Sequence, residues 1–210
     1  MPKLYYTPTS CGASSFISAF IREIKIECEV VDLMTHMTES GVDFYTINPK
    51  GNVPTLVLDD GTVLNENITC LEYIANMPGF GELAPKPQSS KRYQLQQILS
   101  FLATELHSAI GLFFNPASKD PQIRDFVQTV FNKKMNYLQK HILCENKEFV
   151  FEDSFTIADA YLHIILSWTG YVGIDLSQYP VAHSYYKRIC DIPGVKAAKN
   201  RMSTIPKTTF

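Results

Sequence analysis

The order of apolar periodicities predicts a two-part chain, with a compact α/β unit followed by an all-α unit. Three observations carry this reading: a β-α-β pattern at the start, a hairpin between Asn48 and Asn67 that feeds a helix, and the near loss of strand signals beyond a proline- and glycine-rich stretch at 78–90. At 210 residues the chain exceeds the commonest domain size, so two small domains fit it well. Nineteen Lys plus Arg stand against 21 Asp plus Glu, for a formal net charge of -2 without long runs of either sign. That balance gives no electrostatic case for nucleic acid or anionic lipid.

Lys3 to Tyr6 predicts a short strand that ends in the loop Thr7 to Gly12. Ala13, Phe16, Ile17, Phe20, Ile21 and Ile24 then repeat at helical spacing, and Glu29 to Leu33 predicts a second strand. A crossover helix between them makes these two strands parallel. The polar stretch from Met34 to Thr46 is read as a short irregular helix. In NPKGNVPTLVLDDGTVLNEN, Val53-Pro54 precedes the strand Thr55 to Leu58, Asp59-Asp60-Gly61 turns the chain, and Val63-Leu64 returns it. A proline at that strand entrance is either ordinary and trans or cis, and the cis form would turn backbone groups outward toward an extended peptide. Asn65, Glu66 and Asn67 stand before the helical spacing of Ile68, Leu71, Ile74 and Ala75 as N-cap candidates.

Pro78, Gly79, Gly81, Pro85 and Pro87 mark a linker, which places the domains at 1–78 and 90–210 with 79–89 between them. Leu95, Ile98, Leu99, Leu102, Leu106, Ile110 and Phe113 predict a long helix, and Asp120-Pro121 opens another that carries Ile123, Phe126, Val127, Val130 and Leu138. Thr156 and Asp159 form a capping box ahead of a helix that is apolar all round, as a central bundle helix is. A shorter helix near Val181 to Ile189 and a last one after Pro193-Gly194 complete the pattern.

The start of the chain lacks a signal peptide's apolar core, and no uninterrupted apolar stretch reaches membrane-spanning length. Cys11, Cys28, Cys70, Cys144 and Cys190 are odd in number and lack CxxC spacing, which argues against a disulfide framework and a zinc site. A reducing cytoplasm is the expected compartment. Cys11 lies before a helix N-terminus, where positive partial charge favours a thiolate; a partly buried loop cysteine is the plainer alternative. Tyr6, Ser10 and Ser14 are neighbouring hydroxyls able to donate to a ligand thiolate. His107 projects away from the apolar stripe of its helix, as either a cleft residue or a solvated one. Glu66 and Asn67 bring a carboxylate and an amide to free backbone N–H groups, suited to a ligand with ammonium and carboxylate ends, or to plain capping. Phe113, Phe114, Trp168 and Tyr171 line an apolar pocket or belong to the core.

KLYYTPTSC, VVDLM, the hairpin stretch, ATELH and FTIADAY occur in one order, and together they resemble the glutathione S-transferase family, in particular its bacterial beta class of cysteine-type enzymes. The resemblance implies a thioredoxin-like N-terminal domain, an all-α C-terminal domain, a homodimer, glutathione as co-substrate without a metal, and a cis Val53-Pro54 bond. It implies a catalytic pair in Cys11, which meets the glutathione sulfur, and His107 nearby. The implied substrate contacts are Tyr6, Ser10, His36, Val53, Pro54, Glu66, Asn67, Glu105 and Ser108. Among these, the Val53 backbone pairs with the tripeptide, Glu66 holds the γ-glutamyl end, and Glu105 reaches across the dimer interface. The implied function is conjugation of glutathione to electrophiles, as in detoxification, or thiol-disulfide exchange through Cys11. A non-enzymatic ligand-binding or interaction module is the alternative. His36 and Ser108 stand where beta-class enzymes commonly have lysines, which implies a weaker hold on the glycine end of glutathione.

Overall fold

The computed structural model describes residues 1–144 and 147–204. They divide into two compact units, Met1–Ala84 joined by the segment from Ile192 onward, and Pro85–Asp191.

The first unit is a five-stranded mixed sheet. Its strands are β1 (Lys3–Tyr6), β2 (Glu27–Asp32), β3 (Met37–Thr38), β4 (Thr55–Val57) and β5 (Val63–Asn65), in the order β3-β2-β1-β4-β5. β1 and β2 are parallel, pairing Leu4 with Cys28, as the crossover helix α1 (Gly12–Ile21) requires. β1 runs antiparallel to β4, pairing Leu4 with Leu56, and β4 and β5 form the expected hairpin. The stretch read as an irregular helix holds β3 and one 3₁₀ turn at Phe44–Thr46; two residues of strand are too few to leave a periodicity. Strand alternation sends Leu4 and Tyr6 to one face and Tyr5 to the other, where it clusters with Val31, Phe44 and Val53. α1 packs beside α2 (Asn67–Asn76), with Ala13, Ile17, Leu71 and Ile74 buried.

The last helix, α8 (Pro193–Ser203), packs on α1 within this first unit. A Cβ added to Gly194 would lie 2.9 Å from Cγ1 of Ile21, and Val195 and Ala198 are fully buried. A short amphipathic helix at the chain end carries no sequence mark of which unit it will cover. The expected linker stretch has no helix or strand, but it is tethered: Phe80 N–H donates to Arg22 O at 2.7 Å.

The second unit is helical. α3 (Ser90–Phe101) begins at Ser89, whose hydroxyl accepts from Arg92 N–H, and it continues through a π-helical turn, Leu102–His107, into α4 (Ser108–Gly111). By length and composition the run Ser90–Phe114 is apolar enough to cross a membrane. Its stripe of Leu95, Leu99, Leu102, Leu106 and Ile110 is instead fully buried in the unit. α5 (Pro121–Tyr137) starts on Asp120, which accepts from Gln122 N–H at 2.8 Å. It buries Val127, Phe131 and Met135 and leaves Ile123 and Phe126 exposed, so the stripe lies one step round from the expected one. α6 (Ile157–Ser167) is the central helix, with all but its last residue buried, and α7 (Pro180–Asp191) packs against it.

The capping box at the start of α6 is formed and is more heavily used than a cap alone. The carboxylate of Asp159, wholly buried, accepts from Val150 N–H, Thr156 N–H, the Thr156 hydroxyl and the Tyr185 hydroxyl, each at 2.8 Å. Burial lifts its carboxyl to about 6, a rise that the four donors oppose. Asp159→Ala would leave all four donors buried without their acceptor. It is expected to destabilise the protein by about 3 kcal/mol or more in urea unfolding followed by helical circular dichroism; a change near zero would show the network to be dispensable.

Candidate functional site

The loop between Asn48 and Thr55 is built around a buried side chain. Asn48 is 1% exposed, and its Nδ2 lies 2.8–2.9 Å from Asn52 O, Asn52 Oδ1 and Thr55 Oγ1, while its Oδ1 accepts from Lys50 N–H. Gly51 turns at φ +64°, where a Cβ would lie 2.5 Å from the Tyr45 ring. That ring in turn packs against His36, tilted, with centroids 4.4 Å apart. The Val53-Pro54 bond is cis, and both residues are buried.

Cys11 meets this loop: its Sγ donates to Val53 O at 3.6 Å. Ser14 donates its hydroxyl to Cys11 O at 2.6 Å. Burial pushes the Cys11 thiol up to about 12, with the charge of Glu66 adding to the rise and the backbone N–H groups of Cys11 and Gly12 opposing it. Desolvation thus works against the thiolate that the amides at the start of α1 favour. Ser10 is committed to the loop, donating to Thr7 O and accepting from Gly12 N–H. Tyr6 is turned into the core, 1% exposed and stacked on Phe16, so its phenol is a packing group and not a partner for a ligand at Cys11. Strand alternation that sends Tyr5 toward Val53 sends Tyr6 the other way.

α2 begins without a side-chain cap. Glu66, at its N-cap, holds φ +70°, an unusual backbone for a residue with a side chain, and its exposed carboxylate is ion-paired with Lys50. The Asn67 amide is engaged within the unit: Nδ2 donates to Ser14 Oγ at 3.1 Å and Oδ1 accepts from Ser15 Oγ at 3.4 Å. What remains at this end is a carboxylate beside the uncapped N–H groups of a helix, a pairing that suits a zwitterion.

Within the second unit, His107 ends the π-helical turn. Its Nδ1 lies 2.6 Å from the Tyr161 hydroxyl and its ring packs 4.7 Å from Trp168, which Phe114 meets edge-on. Burial lowers its basicity, which keeps the imidazole neutral at pH 7. Phe113 is core, edge-on to Phe131, whereas Phe114 and Tyr171 are exposed. Glu105 pairs with Lys134 at 2.6 Å and lines a cavity of about 650 Å³ with Gln97, Phe101, Tyr137 and His141. Ser108 spends its hydroxyl on Ala103 O in the π turn.

The chain is similar to known proteins over nearly its whole length. Residues 17–77 match the family model "Glutathione S-transferase, N-terminal domain" and residues 104–201 match "Glutathione S-transferase, C-terminal domain". Glutathione S-transferase GstA of Escherichia coli O157:H7 is 32% identical over 196 residues, which cover 93% of this chain and 96% of that relative. The chain belongs to the glutathione S-transferase family. A bacterial beta-class glutathione S-transferase from Sphingomonas chungbukensis is 36% identical, with a TM-score of 0.87 over 97% of this chain and 100% of its own. A sphingomonad glutathione S-transferase solved in complex with glutathione is 34% identical, with the same TM-score and the same coverage. The fold of the family, a thioredoxin-like unit followed by a helical one, is the fold found here.

Asn48, Lys50 and Tyr161 escaped the sequence reading. An Asn two residues before a Lys-Gly turn is a signal for a side chain that bonds its own loop; nothing local marks Tyr161 as the partner of His107.

The partly buried Cys11 sets a pH test. In the free protein its thiolate absorbance at 240 nm, taken against Cys11→Ser, is expected to stay small up to pH 9. A midpoint below 7 would contradict the environment described.

Proposed function

We propose that this transferase activates glutathione through a protonated Cys11, whose S–H turns from Val53 O to the glutathione sulfur and stabilises it as a thiolate for attack on an electrophile. The observation that carries the reading is the donated bond from Cys11 Sγ to Val53 O, on a thiol that burial keeps protonated. A protonated donor supports conjugation better than a mixed disulfide, which needs Cys11 itself as nucleophile. The named relatives are transferases, so the non-enzymatic module is not favoured.

In this reading the sphingomonad complex supplies the co-substrate by analogy. The backbone of Val53 pairs with the cysteinyl residue, Pro54 holds that loop, and Glu66 with the amides of α2 takes the γ-glutamyl end. Backbone N–H of Asn67 replaces its side chain, which α1 uses. By the family resemblance His107, set by Tyr161 within the second unit, is the proposed second catalytic group. Ser10 and Tyr6 support this arrangement through packing and loop bonds alone. A homodimer is the proposed assembly, with Glu105 reaching its partner. The cytoplasm is the proposed compartment, in keeping with five free cysteines.

Two measurements test this. Cys11→Ser keeps a donor and is expected to retain conjugation of a generic aromatic electrophile, whereas Cys11→Ala loses about tenfold or more; loss of thiol-disulfide exchange in both variants, with conjugation intact in both, would assign Cys11 to redox work instead. Calorimetric titration is expected to give a glutathione Kd weaker than micromolar, because His36 and Ser108 supply no fixed charge where beta-class relatives commonly have lysines. Submicromolar binding would contradict that.

A further inference from the structure

Lys50 has no part in the site as assigned so far, yet its ammonium sits on the carboxylate of Glu66. The residue leaves the backbone beside Gly51, and a Cβ at Gly51 would lie 3.1 Å from Nδ1 of His36. The stem of Lys50 thus starts at the His36 side of the loop and its tip ends at the start of α2. These are the two ends between which an extended tripeptide would lie, with Val53 in the middle. Lys50 and Glu66 are 56% and 61% exposed, and a pair so screened is weak and exchanges readily.

We infer that Lys50 is a two-position residue: in the free chain it occupies Glu66 in place of the ligand's α-ammonium, and on binding it swings back to the His36 end and meets the glycyl carboxylate of glutathione. The inference rests on the assignment of Glu66 to the γ-glutamyl end. When the ligand ammonium reaches Glu66, two cations face one carboxylate, and the flexible four-carbon stem lets the lysine leave. The glycyl carboxylate then lacks a fixed cation at that end. Nδ1 of His36 is buried against Gly51 and Tyr45 and is not turned to a ligand. Lys50 carries a charge of the right sign on a flexible four-carbon stem that starts one residue before Gly51.

The test is calorimetric titration of the full-length protein, as wild type, Lys50→Met and Lys50→Gln, with two probes: glutathione, and glutathione esterified at its glycyl carboxylate. Either substitution is expected to weaken glutathione by about fivefold to tenfold, the loss of one charge-assisted contact. For the ester the sign reverses: affinity stays level or rises by up to about threefold, because the competitor for Glu66 is gone. Lys50→Arg is expected to restore most of the glutathione affinity. Equal losses for both probes, or no change for glutathione, would overturn the two-position role. A wild-type protein that binds neither probe would overturn the underlying assignment of the site.

Discussion

The amide of Asn48 is the bond set on which the rest of the first unit's site depends. A loop from Asn48 to Thr55 that must turn at Gly51, deliver Pro54 to the edge of β4 and leave backbone free for a ligand cannot be held by strand pairing. One buried side chain does this instead, reaching Asn52, Thr55 and Lys50. Buried amides are costly unless bonded, so the loop and the side chain stabilise each other or neither is stable. Through this loop the Val53 carbonyl reaches Cys11, and α1 and α2 are joined a second time where Ser14 and Ser15 meet Asn67. The site is therefore rigid on its floor, while Lys50 and Glu66 on its rim are exposed and exchangeable.

Cys11 shows how competing effects are decided by magnitude. A helix N-terminus favours negative charge, but the effect fades within the first turn and is worth about 0.3–1 kcal/mol at ordinary sites. Burial of the sulfur, with Glu66 nearby, acts in the opposite direction and dominates. The outcome is a thiol that donates its proton to the Val53 carbonyl, and the proposed chemistry of the site builds on that bond. His107 obeys the same rule in the second unit, where burial keeps it neutral and the Tyr161 hydroxyl orients it.

What could be read from the sequence was local and periodic. The parallel β1–β2 pair, the hairpin, the start of α5 on Asp120 and the buried α6 all announce themselves through spacing and caps. β3 was too short for a pattern, and α8 could be placed in its unit only by what it packs against. At the site, residue types pointed to Cys11, Glu66 and His107, but direction did not follow from type. Tyr6 points into the core because strands alternate, and the Asn67 amide turns toward two serines that lie 52 and 53 positions earlier. Tertiary partners decided each of these.

The central claim is that one loop presents the ligand sulfur to a protonated Cys11 while Glu66 takes the far ammonium. A crystal structure with glutathione tests it most directly. The account predicts the glutathione sulfur in direct contact with Cys11 Sγ without a covalent bond, the Val53 backbone paired with the cysteinyl residue, and the α-ammonium on Glu66. A tripeptide lying with its sulfur away from Cys11, or with its glycyl end on Glu66, would contradict it.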